Sequence, residues 1–250
     1  MPRWRCRGES NVNMQRLAPS AGWRWIVKAF ALMRRKPLSW LVLNLMLVAI
    51  GAGLSQFAVG IYGLYLLTPI FLGGMMTAAA DIEAGRNVEL GSLLRGFRYN
   101  SVNLVTVGGV YLMGQLLISG VMLSVGGPEF QQIAQAGVEG MDPALVTPEV
   151  ASRILVALLA GMTLFLPLGM AMWFAPALVI FDNQPGWRAM WLSLRASLTN
   201  VLPLLVYTLA SSTLLLLALM PFGLGLVLWV PLMTLTLFTS YRDIFPSAEN

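Results

Sequence analysis

Histidine is absent from all 250 residues. With it go the commonest general base, the commonest metal ligand and the usual charge switch near neutral pH. Cysteine occurs once, as Cys6 in a polar amino-terminal stretch, so neither a disulfide framework nor a cysteine-built metal site can form within one chain. Charge is scarce too: Asp, Glu, Lys and Arg make up 11% of the chain, against about 25% in a soluble domain. A chain this poor in charge, 57% hydrophobic and with a mean hydropathy of +0.73, cannot cover a water-facing surface. Its expected solvent is lipid. No Gly-rich phosphate loop, serine nucleophile elbow or metal-ligand spacing is present, as the corresponding chemistry would require. The expectation is a protein that is not an enzyme, with no catalytic residues, cofactor or metal.

What is there is arranged around long uncharged runs. Leu38 to Ala80 contains no charged residue, too long for one membrane helix of about 20 residues and right for two. Glycines 51, 53, 60 and 63 offer the turn between them. Ser101 to Val125 and Ile154 to Phe181 supply a third and a fourth span. Val201 to Ser240 divides into two more at "MPFGLG", Met220 to Gly225. The fold class expected is all-α: a polytopic membrane protein of six transmembrane helices. Residues 22–246 form a single membrane domain, residues 1–21 a polar basic tail, and residues 126–152 an extracytoplasmic loop opened into the fourth helix by Thr147-Pro148. The amino terminus does not read as a cleavable signal, because no apolar core follows Arg3, Arg5 and Arg7 before Leu38. Met14 is an alternative start, which would make residues 1–13 an over-long reading of the gene.

The net charge of +5 points to a membrane surface and not to nucleic acid, because the basic residues stand in short blocks beside the apolar runs. With the amino terminus inside, 15 Lys/Arg fall on the inner side and only Arg153 outside. Both termini are therefore expected in the cytoplasm, in the bacterial inner membrane.

One basic block, "GWRWIVKAFALMRRKPLSW", has helical logic. At 100° per residue, Arg24, Lys28 and Arg35 lie within about 40° of one another. Ile26, Ala29, Phe30 and Met33 fall on the opposite side, with Trp23 and Trp25 on the flanks. This predicts a cytoplasmic amphipathic helix lying in the interface. Gly-Trp-Arg returns at Gly186 with Arg188 and Arg195 on one stripe and Trp187, Met190, Leu194 and Leu198 on the other side. Candidate anionic-lipid contacts are thus Trp23, Arg24, Lys28, Arg35, Arg188 and Arg195. Expected partners are membrane lipids, anionic at the cytoplasmic face, each basic residue there contributing about 1 kcal/mol.

The recurrence is wider than a tripeptide. Gly22 and Gly186 are 164 positions apart, while Pro69 and Asp81 correspond to Pro231 and Asp243 at 162. A third surface segment, "ELGSLLRGFRYNSVNLV", precedes the third span. The chain reads as three parallel helical hairpins, each preceded by a surface helix and related by an axis along the membrane normal.

No ionisable residue lies within the spans, which argues against a proton-coupled pump. Asn44, Gln56, Thr68, Gln115, Ser211, Ser212 and Thr213 are expected to hydrogen-bond between helices. At the cytoplasmic rim Asp81, Glu83, Asp182 and Asp243 are expected to meet Arg86, Arg188 and Arg242. The candidate salt-bridge set is Asp81, Asp182, Arg242 and Asp243.

"GWRWIVKAFALMRRKPLSWLVLN", "WFAPALVIFDNQPGWRAMWLSLRASLTN" and "SYRDIF" together resemble a family of uncharacterised six-span inner-membrane proteins of proteobacteria. The resemblance covers roughly residues 14 to 246. More distantly, the layout is similar to the membrane domain of glycerophosphodiester phosphodiesterases, although this chain has no catalytic barrel. The resemblance implies the fold and transfers no site residues. Two functions fit: a non-catalytic integral membrane protein that binds lipid or supports envelope homeostasis, or a permease or channel for a small, weakly polar solute.

Overall fold

The computed structural model describes residues 12–57, 59–136 and 147–246. Cys6, the basic start, and Glu139 and Asp142 of the 126–152 loop lie outside the described residues. Among the described residues the chain is helical without strands. In order come α1 (Ala21–Met33), α2 (Pro37–Ser55) and α3 (Gly60–Glu83), then a 3-10 segment (Leu90–Leu94) leading into one-turn α4 (Arg95–Arg98). They are followed by α5 (Ser101–Ala136), α6 (Pro148–Trp173), α7 (Ala175–Phe181), α8 (Gly186–Thr199), α9 (Val201–Leu219) and α10 (Leu226–Ile244).

Proline and glycine punctuate these elements where their backbone chemistry requires it. Pro37 cannot continue α1 and instead occupies the first turn of α2, where its missing N–H costs nothing. The first hairpin turns between the end of α2 at Ser55 and the start of α3 at Gly60, so Gly51 and Gly53 belong to α2, and Gly60 and Gly63 to α3. The last hairpin turns at Met220 to Gly225. The fourth apolar run is interrupted: α6 stops at Trp173 and α7 restarts with Pro176 near its head. There Ser193 of α8 enters the broken ladder. The Phe174 N–H donates to its Oγ at 2.9 Å, and that hydroxyl donates to the Met170 carbonyl at 2.6 Å. A side chain inserted between an N–H and the carbonyl four residues back is a sufficient cause for such a break.

Among the described residues five helical stretches are long and apolar enough to cross a membrane: 37–55, 60–83, 101–135, 148–181 and 201–219. The sixth expected span coincides with α10, which ends in Arg242 and Asp243. Burial ranks them. About 61% of the most apolar window of α3 is buried, against 17% for α2 and α9. The open face of α9 carries Leu202, Leu205, Leu209 and Leu216, an apolar stripe at helical spacing that suits lipid.

By compactness the chain divides into two units, Val110–Gly169 and the remainder. In the larger unit α3 packs on α7, the 3-10 segment and α4, while α1 packs on α9 and α10. Aromatic rings pack both ends of α7 against the end of α10: Phe181 stacks on Tyr241 at 5.4 Å, and Phe174 meets Phe245 edge-on at 5.8 Å. Within the smaller unit, α5 kinks at Gly127 ahead of Pro128. Arg153 pairs with Glu129 at 3.3 Å, and Thr147 Oγ1 accepts the Val150 N–H at the start of α6.

The polar residues inside the spans divide into two kinds. Asn44 accepts from Thr234 of α10 at 2.9 Å, and Ser211 donates to Met233 Sδ at 3.0 Å. Gln56, Thr68 and Thr213 instead donate to carbonyls four residues back in their own helices. The expected interhelical role therefore holds for Asn44 and Ser211. A short polar side chain satisfied by its own helix does not need a neighbour. Asn44→Ala is expected to weaken the α2–α10 contact by about 1 kcal/mol, read as a lower unfolding temperature in detergent; no change would mean that apolar packing alone holds the pair.

The surface segments differ from the expected pattern in two ways. First, α1 turns Trp25, Ile26, Ala29, Leu32 and Met33 into the protein, where α9 and α10 cover them, so that face is closed to lipid. Phe30 leaves this set and is 49% exposed beside Trp23 and Val27. On α8 the buried face is Gly186, Ala189, Met190, Ser193, Ala196 and Ser197, while Trp187, Trp191 and Leu198 are exposed. Second, the third surface segment is a 3-10 turn followed by a single α-turn. Gly91 and Gly96 leave it little intrinsic reason to form a continuous helix.

Candidate functional site

Three aspartates mark the ends of α3, α7 and α10: Asp81, Asp182 and Asp243. A carboxylate at a helix C-terminus is disfavoured by the helix dipole, so each needs donors from elsewhere. Asp81, only 3% exposed, takes them from Arg86 at 2.8 Å and from Arg95 of α4. Asp243 accepts from Trp25 Nε1 at 3.1 Å and Lys28 Nζ at 2.6 Å, which ties α1 to the end of α10. Asp182, also 3% exposed, accepts from the Tyr241 hydroxyl at 2.6 Å. Arg242 pairs with Glu83 at 3.2 Å. Of the residues expected at this rim, Arg188 makes no ion pair with any described residue.

The residue before each of three spans acts as a clasp. Asn200, fully buried, donates to the Gln15 carbonyl at 3.0 Å and accepts the Leu17 N–H at 2.9 Å. Asn100 donates to Asn183 Oδ1 at 2.8 Å and to the Val179 carbonyl at 3.3 Å. Lys36 donates to Asn87 Oδ1 at 2.7 Å. Beside these clasps the two Gly-Trp-Arg glycines press on backbone. A β-carbon on Gly22 would collide with the Pro203 carbonyl oxygen, and one on Gly186 would lie 2.6 Å from that of Asn103. Arg95 and Tyr241 stood in the sequence reading only as parts of the third surface segment and of the terminal "SYRDIF", and Asn100 and Asn200 were not singled out. Their available signal is position: each asparagine directly precedes an uncharged run.

The expected lipid contacts separate by what they touch. Lys28 is committed to Asp243, and Arg35 donates to the Glu83 carbonyl at 3.2 Å. The guanidinium groups of Arg24, Arg188 and Arg195 make no hydrogen bond or ion pair with any described residue. Arg24 stands next to Trp23, which is 52% exposed, and Arg188 and Arg195 flank the exposed Trp187 and Trp191. Among the described residues no group of three or more His, Cys, Asp or Glu gathers as it would around a metal ion.

A probable inner membrane protein of Burkholderia thailandensis is 31% identical to the chain over 198 residues, covering 72% of this chain and 68% of the relative. The chain belongs to the same family. With five apolar helices of spanning length, it is an integral, multi-pass protein of the inner membrane. No family model matches it, and no solved structure matches it significantly. The distant similarity to the membrane domain of glycerophosphodiester phosphodiesterases has no support from these comparisons.

Proposed function

We propose that this family member is a non-catalytic membrane protein that holds acidic phospholipid on the outward faces of α1 and α8. The observation that carries this reading is that the guanidinium groups of Arg24, Arg188 and Arg195 bond no described residue, Arg24 beside the exposed Trp23 and the other two beside the exposed Trp187 and Trp191. Guanidinium groups suit phosphate, and indole rings settle at headgroup depth. The lipid-facing set is revised accordingly: Trp23, Phe30, Trp187 and Trp191 take the place of the apolar stripe that the protein itself buries.

Six spans and a cytoplasmic position for both termini complete the proposal. Supporting α10 as the sixth span, its 19 residues carry no charge before Arg242, and it returns from the 220–225 turn to the end where Ile244 accepts the Gln15 N–H at 2.9 Å. Supporting a three-unit repeat, α2 and α9 are both 19 residues long and begin 164 positions apart. The same offset carries Gln15, held by Asn200, onto Val179, held by Asn100. In keeping with such a repeat, α1 docks on α9 and the 3-10 segment touches α2, while Gly186 of α8 meets the start of α5 at Asn103.

The test is retention of labelled phosphatidylglycerol by purified protein against detergent washing. Replacing Arg24, Arg188 and Arg195 together by glutamine is expected to weaken retention on the order of a hundredfold. Retention equal to the parent would end the outward-face reading.

A further inference from the structure

The third surface segment, the 3-10 turn and α4, has an inner and an outer side. The inner side is fixed on α3 by backbone contact. A β-carbon on Gly74 would collide with the Leu93 carbonyl oxygen, and one on Gly96 with that of Ile70. Ser92, Leu93 and Gly96 are accordingly buried. Arg95 is spent on the same side, on Asp81, and Glu89, the one carboxylate from 89 to 99, approaches it at 4.0 Å. Arg98 differs: it is exposed and makes no hydrogen bond or ion pair with any described residue. The division repeats that on α1, where Lys28 is spent on Asp243 and Arg24 is not.

Around Arg98 the outer side is apolar and aromatic, with Leu90, Leu94, Phe97 and Tyr99 all exposed. Phe97 keeps an edge-on contact with Phe71 of α3, ring centroids 5.7 Å apart, which sets the orientation of this side relative to that helix. Three residues beyond Tyr99, Val102 in the first turn of α5 is 77% exposed. The outer side therefore runs directly onto the uncovered apolar surface of a span. At such a boundary tyrosine rings settle at headgroup depth, and basic side chains meet acidic headgroups.

We infer that the outer side of the 90–99 segment is a third docking surface for acidic phospholipid, with Arg98 on the headgroup and Leu94, Phe97 and Tyr99 against the lipid body. A guanidinium offers paired N–H donors to a phosphodiester, and the rings and leucines beside it exclude water from the contact. The inference extends lipid binding from α1 and α8 to a segment that is not a continuous helix. It rests on the orientation and the lipid-holding role proposed above.

The experiment reads the lipid beside this segment alone. The full chain, with Cys6 replaced by serine and a fluorophore on Leu94→Cys, is reconstituted in equimolar phosphatidylcholine and phosphatidylglycerol. A nitroxide high on the acyl chain of one lipid or the other quenches the fluorophore on contact. With Arg98 in place, phosphatidylglycerol is expected to be favoured over phosphatidylcholine about fivefold, the preference one basic residue confers at a lipid surface. Arg98→Gln is expected to abolish the preference while both lipids still quench, and Arg98→Lys to keep most of it. Equal quenching by the two lipids in the parent, an unchanged preference in Arg98→Gln, or no quenching by either lipid would overturn the surface. The same fluorophore on Leu198→Cys of α8 reports the outward-face reading separately, through Arg188→Gln and Arg195→Gln. A preference at residue 198 and none at 94 would sink only the third surface. A preference at residue 94 and none at 198 would sink the role proposed for α8 and leave this surface standing.

Discussion

Asp81→Ala is expected to destabilise the protein by about 3 kcal/mol, read as a fall in the thermal unfolding temperature in detergent. The carboxylate is almost fully buried and joins Arg86, on the turn after α3, to Arg95 at the head of α4. Removing one partner of a buried pair costs about 3–5 kcal/mol, because the remaining charge keeps its desolvation without compensation. The lower end applies here, since the two arginines retain 45% and 23% of their side-chain exposure and water screens them. A double-mutant cycle with Arg95→Ala separates the pair from packing losses, and strong coupling is expected. An Asp81→Ala protein as stable as its parent would mean that α4 is held on α3 by apolar contact alone.

Gly22 and Gly186 are expected to be intolerant of any side chain, each for the same reason. Alanine at an exposed helical glycine gains about 1 kcal/mol. At Gly22 and Gly186, however, the new methyl meets a backbone carbonyl at the start of another span. A backbone neighbour cannot rotate aside, so overpacking of about 1–3 kcal/mol outweighs the helical gain. Valine in place of alanine should cost more. The control is Gly53 in α2, where a β-carbon meets nothing within 4 Å; Gly53→Ala should be neutral or stabilising. Equal stability of the Gly22, Gly186 and Gly53 variants would refute the close docking of the surface helices.

How much of this was legible in the sequence follows the reach of each physical signal. Charge-free runs and the Pro-Gly turn at residues 220–225 are local, and the helices start and stop there. The facing of α1 was not legible, because its apolar arc is wider than the strip the protein covers: Ile26, Ala29 and Met33 are buried, while Phe30, on the same arc, is exposed with Trp23 and Val27. Periodicity reports that a helix has an apolar stripe, not whether protein or lipid covers it. The pairing of Asp243 with Lys28 joins residues 215 positions apart, which no window of sequence contains. The break at Phe174 was half legible. Pro176 announces it, but the serine that satisfies the freed backbone comes from another helix. At the candidate site, the basic residues were visible and their availability was not: Arg24 and Lys28 share a stripe, yet only Lys28 is spent on a carboxylate.

Binding of acidic phospholipid by the basic rim requires the charged end of the helices to face the cytoplasm. Single cysteines at Ser20 and Phe222, each in a background with Cys6 replaced, test it directly with a membrane-impermeant thiol reagent on intact cells. Six spans with cytoplasmic termini predict labelling at Phe222→Cys in intact cells, and at Ser20→Cys only after the inner membrane is opened. Labelling of Ser20→Cys from outside, with Phe222→Cys protected, would invert the molecule and remove the acidic leaflet from its basic rim.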